Sequence, residues 1–329
     1  MAICIGIVGY GNVGRGVEAA VSHHKDMELA GIFTRRNPQG LASLSGAPVY
    51  GLEALLHPES LEKKPDVLVL CTGSATDLPE QTPLLAQYYC VVDSFDTHAC
   101  IPEHFAKVNE AALQGGTAAL ISTGWDPGLF SMARVLGDAV LPGSHAETFW
   151  GRGVSQGHSD AIRRIPGVKD ARQYTVPVKS ALDAVRKGEA GALTPRQKHT
   201  RECYVVLEEG ADPEAVAKAI ITMPHYFDEY DTSVTFISEE EMQSQHCAMP
   251  HAGQVLRQGV TGNDANAAFV GFEVAMDSNP QFTGSILLAF ARGIYRFYQE
   301  DKRGCFTALD MPLSALSPLS RDELLAAML

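Results

Sequence analysis

The sequence predicts an α/β protein with a Rossmann-type, doubly wound parallel sheet and a second α+β domain. Short β-branched apolar runs alternate with helical patterns over the first 125 residues, and a glycine-rich turn follows the first run. After residue 125 the strand patterns alternate between apolar and polar residues instead. A chain of 329 residues fits two domains, at roughly 100–200 residues each.

Five short apolar runs in the first part of the chain predict buried strands, at residues 3–8, 28–33, 65–71, 89–92 and 117–122. Residues 12–23 and 103–114 carry helical spacing, and Pro102 suits the first position of the second of these helices. Strand, helix and strand in repetition predict a parallel sheet with helices on both faces.

The second part of the chain predicts a more antiparallel sheet, with strands at 174–178, 202–207 and 233–237 and a loop at 151–157. Asp212 and Pro213 open a predicted helix over 213–222. Asn279 and Pro280 open a long helix that ends near Gln299, and Ser320 begins a final capped helix. We expect one domain from residues 1–125 plus about 280–329, and another from about 126–279.

Composition excludes several classes of function. The net charge of −13 argues against a broad basic surface for nucleic acid. The longest apolar runs, 286–291 and 324–329, are far shorter than the ~20 residues of a membrane helix. The first residues show no secretory signal, and seven widely spaced cysteines predict no disulfide framework. We therefore expect a cytoplasmic protein without nucleic-acid or membrane partners.

The glycine-rich turn predicts a dinucleotide site. It reads Gly9, Tyr10, Gly11, Asn12, Val13 and Gly14, a G-x-G-x-x-G between a predicted strand and a predicted helix. The first glycine permits a tight turn, the second admits a pyrophosphate, and the third lets helix and strand pack closely. The helix N-terminus offers unpaired N–H groups to the phosphates.

The end of the second strand predicts NADP rather than NAD. An NAD enzyme places an acidic residue there, whereas this chain has Thr34, Arg35 and Arg36. A carboxylate repels the 2′-phosphate of NADP, while a hydroxyl and two guanidinium groups bind it.

Three further strand ends point to the same crevice, because ligands of open α/β sheets lie beyond the carboxyl ends of the strands. The residues concerned are Cys71, Thr72, Gly73 and Ser74, then Ser94, Phe95 and Asp96, then Thr123, Gly124, Trp125, Asp126 and Pro127. Asp96 and Asp126 are the candidate catalytic carboxylates, since each follows a strand end. Asp93 is a rival that lies nearer the strand interior.

Several long motifs resemble the meso-diaminopimelate dehydrogenase family. They include GYGNVG (9–14), STGWDPG (122–128), SQGHSDAIRRIPGV (155–168), QYTVP (173–177) and MPHAG (249–253). The resemblance covers nearly the whole chain. It implies a Rossmann domain, a substrate and dimerisation domain, a homodimer, and NADP as cofactor. It also implies a role in lysine biosynthesis: oxidation of the D-centre of meso-2,6-diaminopimelate, which gives L-2-amino-6-oxopimelate and ammonia.

The resemblance also assigns substrate contacts. It puts Asp96 and Asp126 beside the reacting amino group, where a carboxylate that takes a proton from the ammonium is useful. Trp150 would wall the reacting carbon, and Gln156 with the Gly157 N–H would hold the carboxylate of the D-end. At the distal L-centre it implies contacts from Thr175, Arg201, His251 and Asn279.

Alternative functions remain at this point. One is an NADP-dependent dehydrogenase of another amino or hydroxy acid, and another is a non-catalytic NADP-binding sensor. A sensor needs neither the paired aspartates nor a carboxylate-binding arginine. His246, Cys247 and His251 lie close together in sequence, but they lack a fourth ligand at the spacing of a zinc site, so we expect no metal.

Overall fold

The computed structural model describes residues 2–263 and 266–329. The chain forms two compact units. Unit 1 comprises Met1–Met132 and Pro280–Leu329, and unit 2 comprises Ala133–Asn279.

Unit 1 is built on a parallel sheet with strands in the order β3-β2-β1-β4-β5-β6-β14. Its strands are β1 Ile3–Val8, β2 Met27–Thr34, β3 Val49–Gly51, β4 Val67–Leu70, β5 Cys90–Asp93, β6 Ala118–Leu120 and β14 Gly304–Phe306. The order of the first six is the doubly wound order of dinucleotide-binding domains. The Rossmann-type prediction is therefore confirmed, although the short edge strands β3 and β14 were not predicted.

The helices, numbered along the whole chain, are α1 Asn12–Val21, α2 Leu78–Ala86, α3 Ile101–Gly115, α4 Phe130–Val140, α5 Gln156–Arg163, α6 Lys179–Lys187, α7 Pro195–Lys198, α8 Pro213–Ile221, α9 Glu239–Gln245, α10 Asn279–Gln299, α11 Leu313–Leu316 and α12 Arg321–Met328. The predicted caps are present, since Asp212 accepts from the Glu214 N–H and Ser320 forms a capping box with Glu323. None of the helices in the described ranges is long and apolar enough to cross a membrane.

The core of unit 1 lies against the sheet because its central strands are apolar on both faces. All four residues of β4 are buried, as are all of β1 except Cys4. Residues of α2 and α3, such as Leu85 and Val108, pack into the same core. Parallel strands buried on both sides read as continuous apolar runs, which is why the sequence indicated them clearly.

Unit 2 contains two smaller sheets, ordered β11-β10-β9-β8 and β13-β12-β7. Their strands are β7 His145–Trp150, β8 Gly153–Val154, β9 Val168–Pro177, β10 His199–Leu207, β11 Asp231–Phe236, β12 His251–Thr261 and β13 Asn266–Met276. β9 and β10 are antiparallel as expected, whereas β10 and β11 are parallel. The β12–β13 hairpin was missed because its strands carry glycines and few β-branched residues.

The predicted loop over 151–157 is only partly correct. Gly153–Val154 pairs with β9, and α5 begins at Gln156. Ser155 caps this helix by accepting from the His158 N–H. Three glycines in seven residues hid both elements, since glycine lowers strand and helix propensity alike.

Candidate active site

The glycine-rich turn has the conformation that its sequence predicts. Gly9 has φ +87°, and its N–H donates to the Phe33 carbonyl at 2.8 Å. A Cβ on Gly14 would meet the Gly9 carbonyl oxygen at 2.2 Å, so any side chain there would separate helix from strand. A Cβ on Gly11 would meet no atom within 4 Å. The space before α1 is therefore open at Gly11, the residue predicted to admit a pyrophosphate.

This space continues into a cavity of about 320 Å³ at the carboxyl ends of the strands. It is lined by Val8, Gly9, Tyr10, Gly11, Phe33, Thr34, Arg35, Arg36, Leu52, Cys71, Thr72, Asp77 and Gln81. Eight of the predicted cofactor residues thus share one cavity, while Asn12, Val13 and Gly14 form the first turn of α1 beneath it.

The two arginines after β2 have different environments. Arg35 forms an ion pair with Asp77 at 2.8 Å, which partly compensates its charge. Arg36 donates through Nη2 to the Tyr10 carbonyl, and its own N–H donates to Thr34 Oγ1 at 3.1 Å. Arg36 also lines a second cavity, of about 410 Å³, together with Arg15. Arg15 was not predicted, although its place in the first turns of a helix that is predicted to bind phosphates is a usable signal.

A buried carboxylate near this cavity was also missed. Glu18 is 3% exposed and accepts from the Tyr10 hydroxyl and from the N–H and Oγ of Ser45. Burial acts to raise the pKa of Glu18, but the hydrogen bonds from Ser45 and Tyr10 outweigh it and lower the pKa. Glu18 thereby ties the loop around Ser45 to α1. The sequence signal for the burial of Glu18 is its place next to Val17, on the apolar side of the predicted helix.

The segment after β4 is held closely to its neighbours. The Cys71 N–H donates to the Val8 carbonyl at 2.7 Å, and Thr72 Oγ1 donates to Gln81 at 2.8 Å. The Gly73 N–H donates to Asp77 at 3.0 Å. Burial raises the pKa of the Cys71 thiol to about 12, so Cys71 stays protonated and is no nucleophile.

The loop after β5 brings Asp96 next to the β4 end. The Asp96 N–H donates to Ser74 Oγ at 2.9 Å, and the Asp96 side chain is exposed. Phe95 is buried and stacks on His104 at 4.2 Å between ring centres. Asp93 is fully buried and accepts four hydrogen bonds, so its carboxylate has no access to a substrate in this conformation.

The loop after β6 carries Asp126. Thr123 donates through its N–H and its Oγ1 to the Asp93 carbonyl, at 3.0 and 2.6 Å. Trp125, which follows Gly124, packs edge-on against Phe130. Asp126 is half-buried in an extended backbone before Pro127. Unit 1 therefore presents both candidate catalytic aspartates from adjacent strand ends.

The central feature of unit 2 is a buried guanidinium. Arg201 on β10 is 7% exposed and donates to Thr175, its partner across β9. It lies 3.9 Å over the ring of Tyr230. Its Nε is buried without a hydrogen bond, and no carboxylate of the described residues pairs with it. Burying an uncompensated charge is costly, which indicates a site for an anionic ligand.

Two of the other predicted substrate residues of unit 2, Gln156 and Asn279, contact Met249. Gln156 Nε2 lies 3.4 Å from Met249 Sδ, and the Asn279 N–H donates to the Met249 carbonyl at 2.8 Å. Gly157 is exposed at the start of α5, with open space where a Cβ would stand. His251 begins β12, and its ring lies against Gly153.

Trp150 and two histidines lie near Arg201. The backbone N–H of Trp150 donates to His199 Nε2 at 2.9 Å. Burial lowers the pKa of His199 to about 3, and the charges of Arg201 and Lys198 add to the effect. Burial and Arg201 together lower the pKa of His158 to about 4. Both imidazoles are therefore neutral near pH 7.

The described residues contain no cluster of three or more His, Cys, Asp or Glu side chains that could hold a metal ion. His246 instead accepts or donates a hydrogen bond with the Tyr174 hydroxyl at 2.9 Å and stacks on Tyr204.

Comparison with known proteins identifies the family of this chain. A family model described as the diaminopimelic acid dehydrogenase C-terminal domain matches residues 124–278. Meso-diaminopimelate D-dehydrogenase of Ureibacillus thermosphaericus is 54% identical over 322 residues, which cover 98% of each chain. The chain belongs to the meso-diaminopimelate D-dehydrogenase family.

Solved structures of the family match nearly the full length of the chain. The Corynebacterium glutamicum diaminopimelate dehydrogenase in complex with DAP has a TM-score of 0.90 at 46% identity, covering 99% of both chains. An engineered D-amino acid dehydrogenase bound to NADP+ has a TM-score of 0.86 at 44% identity, covering 100% of both chains.

The neutral histidines predict a dependence of stability on acid. In the unfolded chain His158 and His199 have an ordinary pKa near 6.5. Below that pH the unfolded state therefore binds protons that the folded state does not bind. The contribution of the two histidines to the free energy of unfolding is therefore fully present above pH 6.5. It is lost as the pH falls from 6.5 towards 4, at about 1.4 kcal/mol per pH unit for each group.

His199→Gln should therefore flatten the pH dependence of the free energy of unfolding between pH 6.5 and 4, measured by urea titration. Glutamine keeps an acceptor for the Trp150 N–H. His98→Gln, at an exposed histidine, is the matched control and should leave the slope unchanged. Equal slopes for wild type and His199→Gln would contradict this account.

Proposed function

We propose that this protein oxidises the D-centre of meso-2,6-diaminopimelate with NADP+ and releases L-2-amino-6-oxopimelate and ammonia. Family membership supports the reaction, since all five curated relatives are named meso-diaminopimelate D-dehydrogenases. The observation that carries the choice of substrate is Arg201, a buried guanidinium without a carboxylate partner in the described part of the chain. NADPH absorbance, measured with purified protein, NADP+ and meso-diaminopimelate, tests the proposal directly.

Unit 1 is the proposed dinucleotide domain, and unit 2 the proposed substrate domain. The open space at Gly11 and the uncapped start of α1 suit a pyrophosphate. Arg36, with Arg15 beside it at the second cavity, suits a 2′-phosphate. When bound, NADP+ supplies the acceptor for the hydride that leaves the D-centre.

Asp96 and Asp126 are the proposed acid–base pair. The substrate amine arrives largely as ammonium near neutral pH, and only the neutral amine can support loss of hydride from its carbon. One carboxylate takes this proton while the other orients the amino group. Water then adds to the resulting imine, and carbon–nitrogen cleavage gives the ketone and ammonia.

Two unlike clamps would tell the two ends of the substrate apart. Gln156 and the Gly157 N–H are proposed to hold the carboxylate of the reacting end, with Trp150 as the wall of the site. Arg201, Thr175, His251 and Asn279 are proposed to hold the distal L-centre. A guanidinium fork matches a carboxylate in two parallel hydrogen bonds, so Arg201 sets the strength of the distal clamp.

We also propose a cytoplasmic homodimer that assembles through unit 2. Leu136 and Val140, one turn apart on α4, are 61% and 53% exposed, and Phe269 on β13 is 45% exposed. Exposed apolar patches are typical of subunit interfaces, and light scattering would measure the mass. All seven cysteines are free, as expected in a reducing compartment.

The two arginines after β2 should contribute unequally to NADP+ binding. Arg36→Ala should raise the NADP+ dissociation constant about 10–100-fold, the loss of a charge-assisted bond of about 1.5–3 kcal/mol. Arg35→Ala should raise it less, because Asp77 already pairs with Arg35. Fluorescence titration with NADP+ and NAD+ gives both constants, and NAD+ binding should hardly change. A larger effect at Arg35 than at Arg36 would contradict the assignment.

Asp96→Asn and Asp126→Asn should each reduce kcat by about 100-fold or more, because one variant loses the proton acceptor and the other loses the group that orients the amine. NADP+ affinity and thermal stability should stay close to wild type, because neither change alters the shape of the side chain. Steady-state kinetics and NADP+ titration separate the two effects. Asp77→Asn, an aspartate that binds Arg35, is the control for a change of charge near the cofactor cavity. A wild-type kcat in both Asp96→Asn and Asp126→Asn would show that the acid–base assignment is wrong.

A further inference from the structure

Asp93 lies at the end of β5 and has no exposed surface. Its carboxylate oxygens divide four donors between them. Oδ1 accepts from the Phe95 N–H at 3.1 Å and the Ser122 N–H at 2.8 Å. Oδ2 accepts from Thr82 Oγ1 at 2.8 Å and His104 Nε2 at 2.7 Å. Each oxygen is therefore fully used within the protein.

The two partners of Oδ1 belong to the two loops that carry the proposed acid–base pair. Phe95 directly precedes Asp96, and Ser122 lies four residues before Asp126. The β5–β6 ladder pairs Val92 with Leu120 and continues no further. Beyond that point Asp93 connects the segments that follow β5 and β6. In addition to the bonds of its side chain, its backbone carbonyl accepts from Thr123.

The conformation of Ser122 supports this reading. Its φ of +56° lies in the left-handed region, which non-glycine residues rarely adopt. Its hydroxyl is buried without a hydrogen bond among the described residues, so the side chain does not hold this conformation. The backbone here is bound to Asp93 instead, through the Ser122 N–H to Oδ1 and through Thr123 to the Asp93 carbonyl.

The Oδ2 side anchors the carboxylate to the scaffold. Thr82 belongs to α2 and His104 to α3, and both are buried. Because an ionised carboxylate only accepts, His104 carries its proton on Nε2. The His104 ring also stacks on Phe95, so α3 holds the first loop by a second contact.

We propose that Asp93 is a positioning residue that sets the spacing between Asp96 and Asp126 by binding both loops through one oxygen. It exchanges no proton with the substrate. This inference rests on the proposed function, in which Asp96 and Asp126 handle the proton. An error of about 1 Å in such a pair costs about 100-fold in turnover, so the placement matters as much as the carboxylates themselves.

Two substitutions separate positioning from proton transfer. Asp93→Asn keeps an oxygen for the Phe95 and Ser122 N–H groups. Its NH2 can donate to the Thr82 hydroxyl and to His104, if His104 moves its proton to Nδ1. Asp93→Leu has a similar size but accepts from neither loop. If Asp93→Leu does not fold, Asp93→Ser replaces it, because its short side chain cannot reach both N–H groups.

The measurements are kcat and KM for meso-diaminopimelate, the pH profile of kcat, NADP+ affinity and thermal unfolding. Asp93→Leu, or Asp93→Ser, should lose about 100-fold in kcat, with NADP+ affinity within about threefold of wild type. Asp93→Asn should restore kcat to within about fivefold, with the pH profile unshifted. Thr117→Val is the stability control, since it removes a buried hydroxyl bonded to the Ala86 carbonyl, away from both loops.

Equal losses in Asp93→Asn and Asp93→Leu, or a shifted pH profile in Asp93→Asn, would overturn the proposal in favour of proton transfer by Asp93. Full kcat in Asp93→Leu, or a comparable loss in Thr117→Val, would overturn it in favour of a scaffold role. Failure of the proposed function is distinguished from failure of this inference by the wild-type protein, which would then not reduce NADP+ with meso-diaminopimelate.

Discussion

Burying a charged side chain costs free energy unless a partner compensates it, and this constraint shapes both units of the enzyme. In unit 1 the buried carboxylates are satisfied within the chain. Glu18 accepts from Tyr10 and Ser45, and Asp93 accepts from four donors. Arg201 in unit 2 differs, because its guanidinium is buried against Thr175 and Tyr230 without a carboxylate. Glu18 and Asp93, whose charges are compensated, hold loops in place, whereas the uncompensated charge of Arg201 indicates a site for an anionic ligand.

This division relates the fold to the chemistry. A parallel sheet gathers its strand ends at one edge, so the glycine turn, the arginines and the two aspartates lie in the segments that follow β1, β2, β5 and β6 of unit 1. Backbone ladders end before these loops begin, and side chains such as Asp93 continue their connection. In unit 2 the β9–β10 pairing brings Thr175 opposite Arg201. Burial, together with the charge of Arg201, lowers the pKa of His158 and His199, so both imidazoles near the proposed carboxylate site are neutral.

The sequence predicted the parts of the structure that depend on local pattern. Buried parallel strands such as β1 and β4 read as apolar runs, and the caps at Asp212 and Ser320 were visible as residue types. The β12–β13 hairpin and the start of α5 were missed, because glycines weaken their patterns. The bonds of Glu18 with Ser45 and of Asp77 with Arg35 join residues that are far apart in the sequence, and spacing along the chain does not reveal such partners. The sequence pattern therefore does not indicate that Asp77 pairs with Arg35 and leaves Arg36 without this partner.

In the proposed function, the unpaired charge of Arg201 recognises the distal carboxylate of the substrate. This role is tested by comparing kcat/KM for meso-diaminopimelate and for D-lysine, which lacks that carboxylate, in wild type and in Arg201→Met. Arg201→Met should lower kcat/KM for meso-diaminopimelate by about 100-fold or more, because a charged hydrogen-bonded pair is lost. The value for D-lysine should change little, so the preference for meso-diaminopimelate over D-lysine should narrow. An equal loss for both substrates would make Arg201 a scaffold residue and rule out this role.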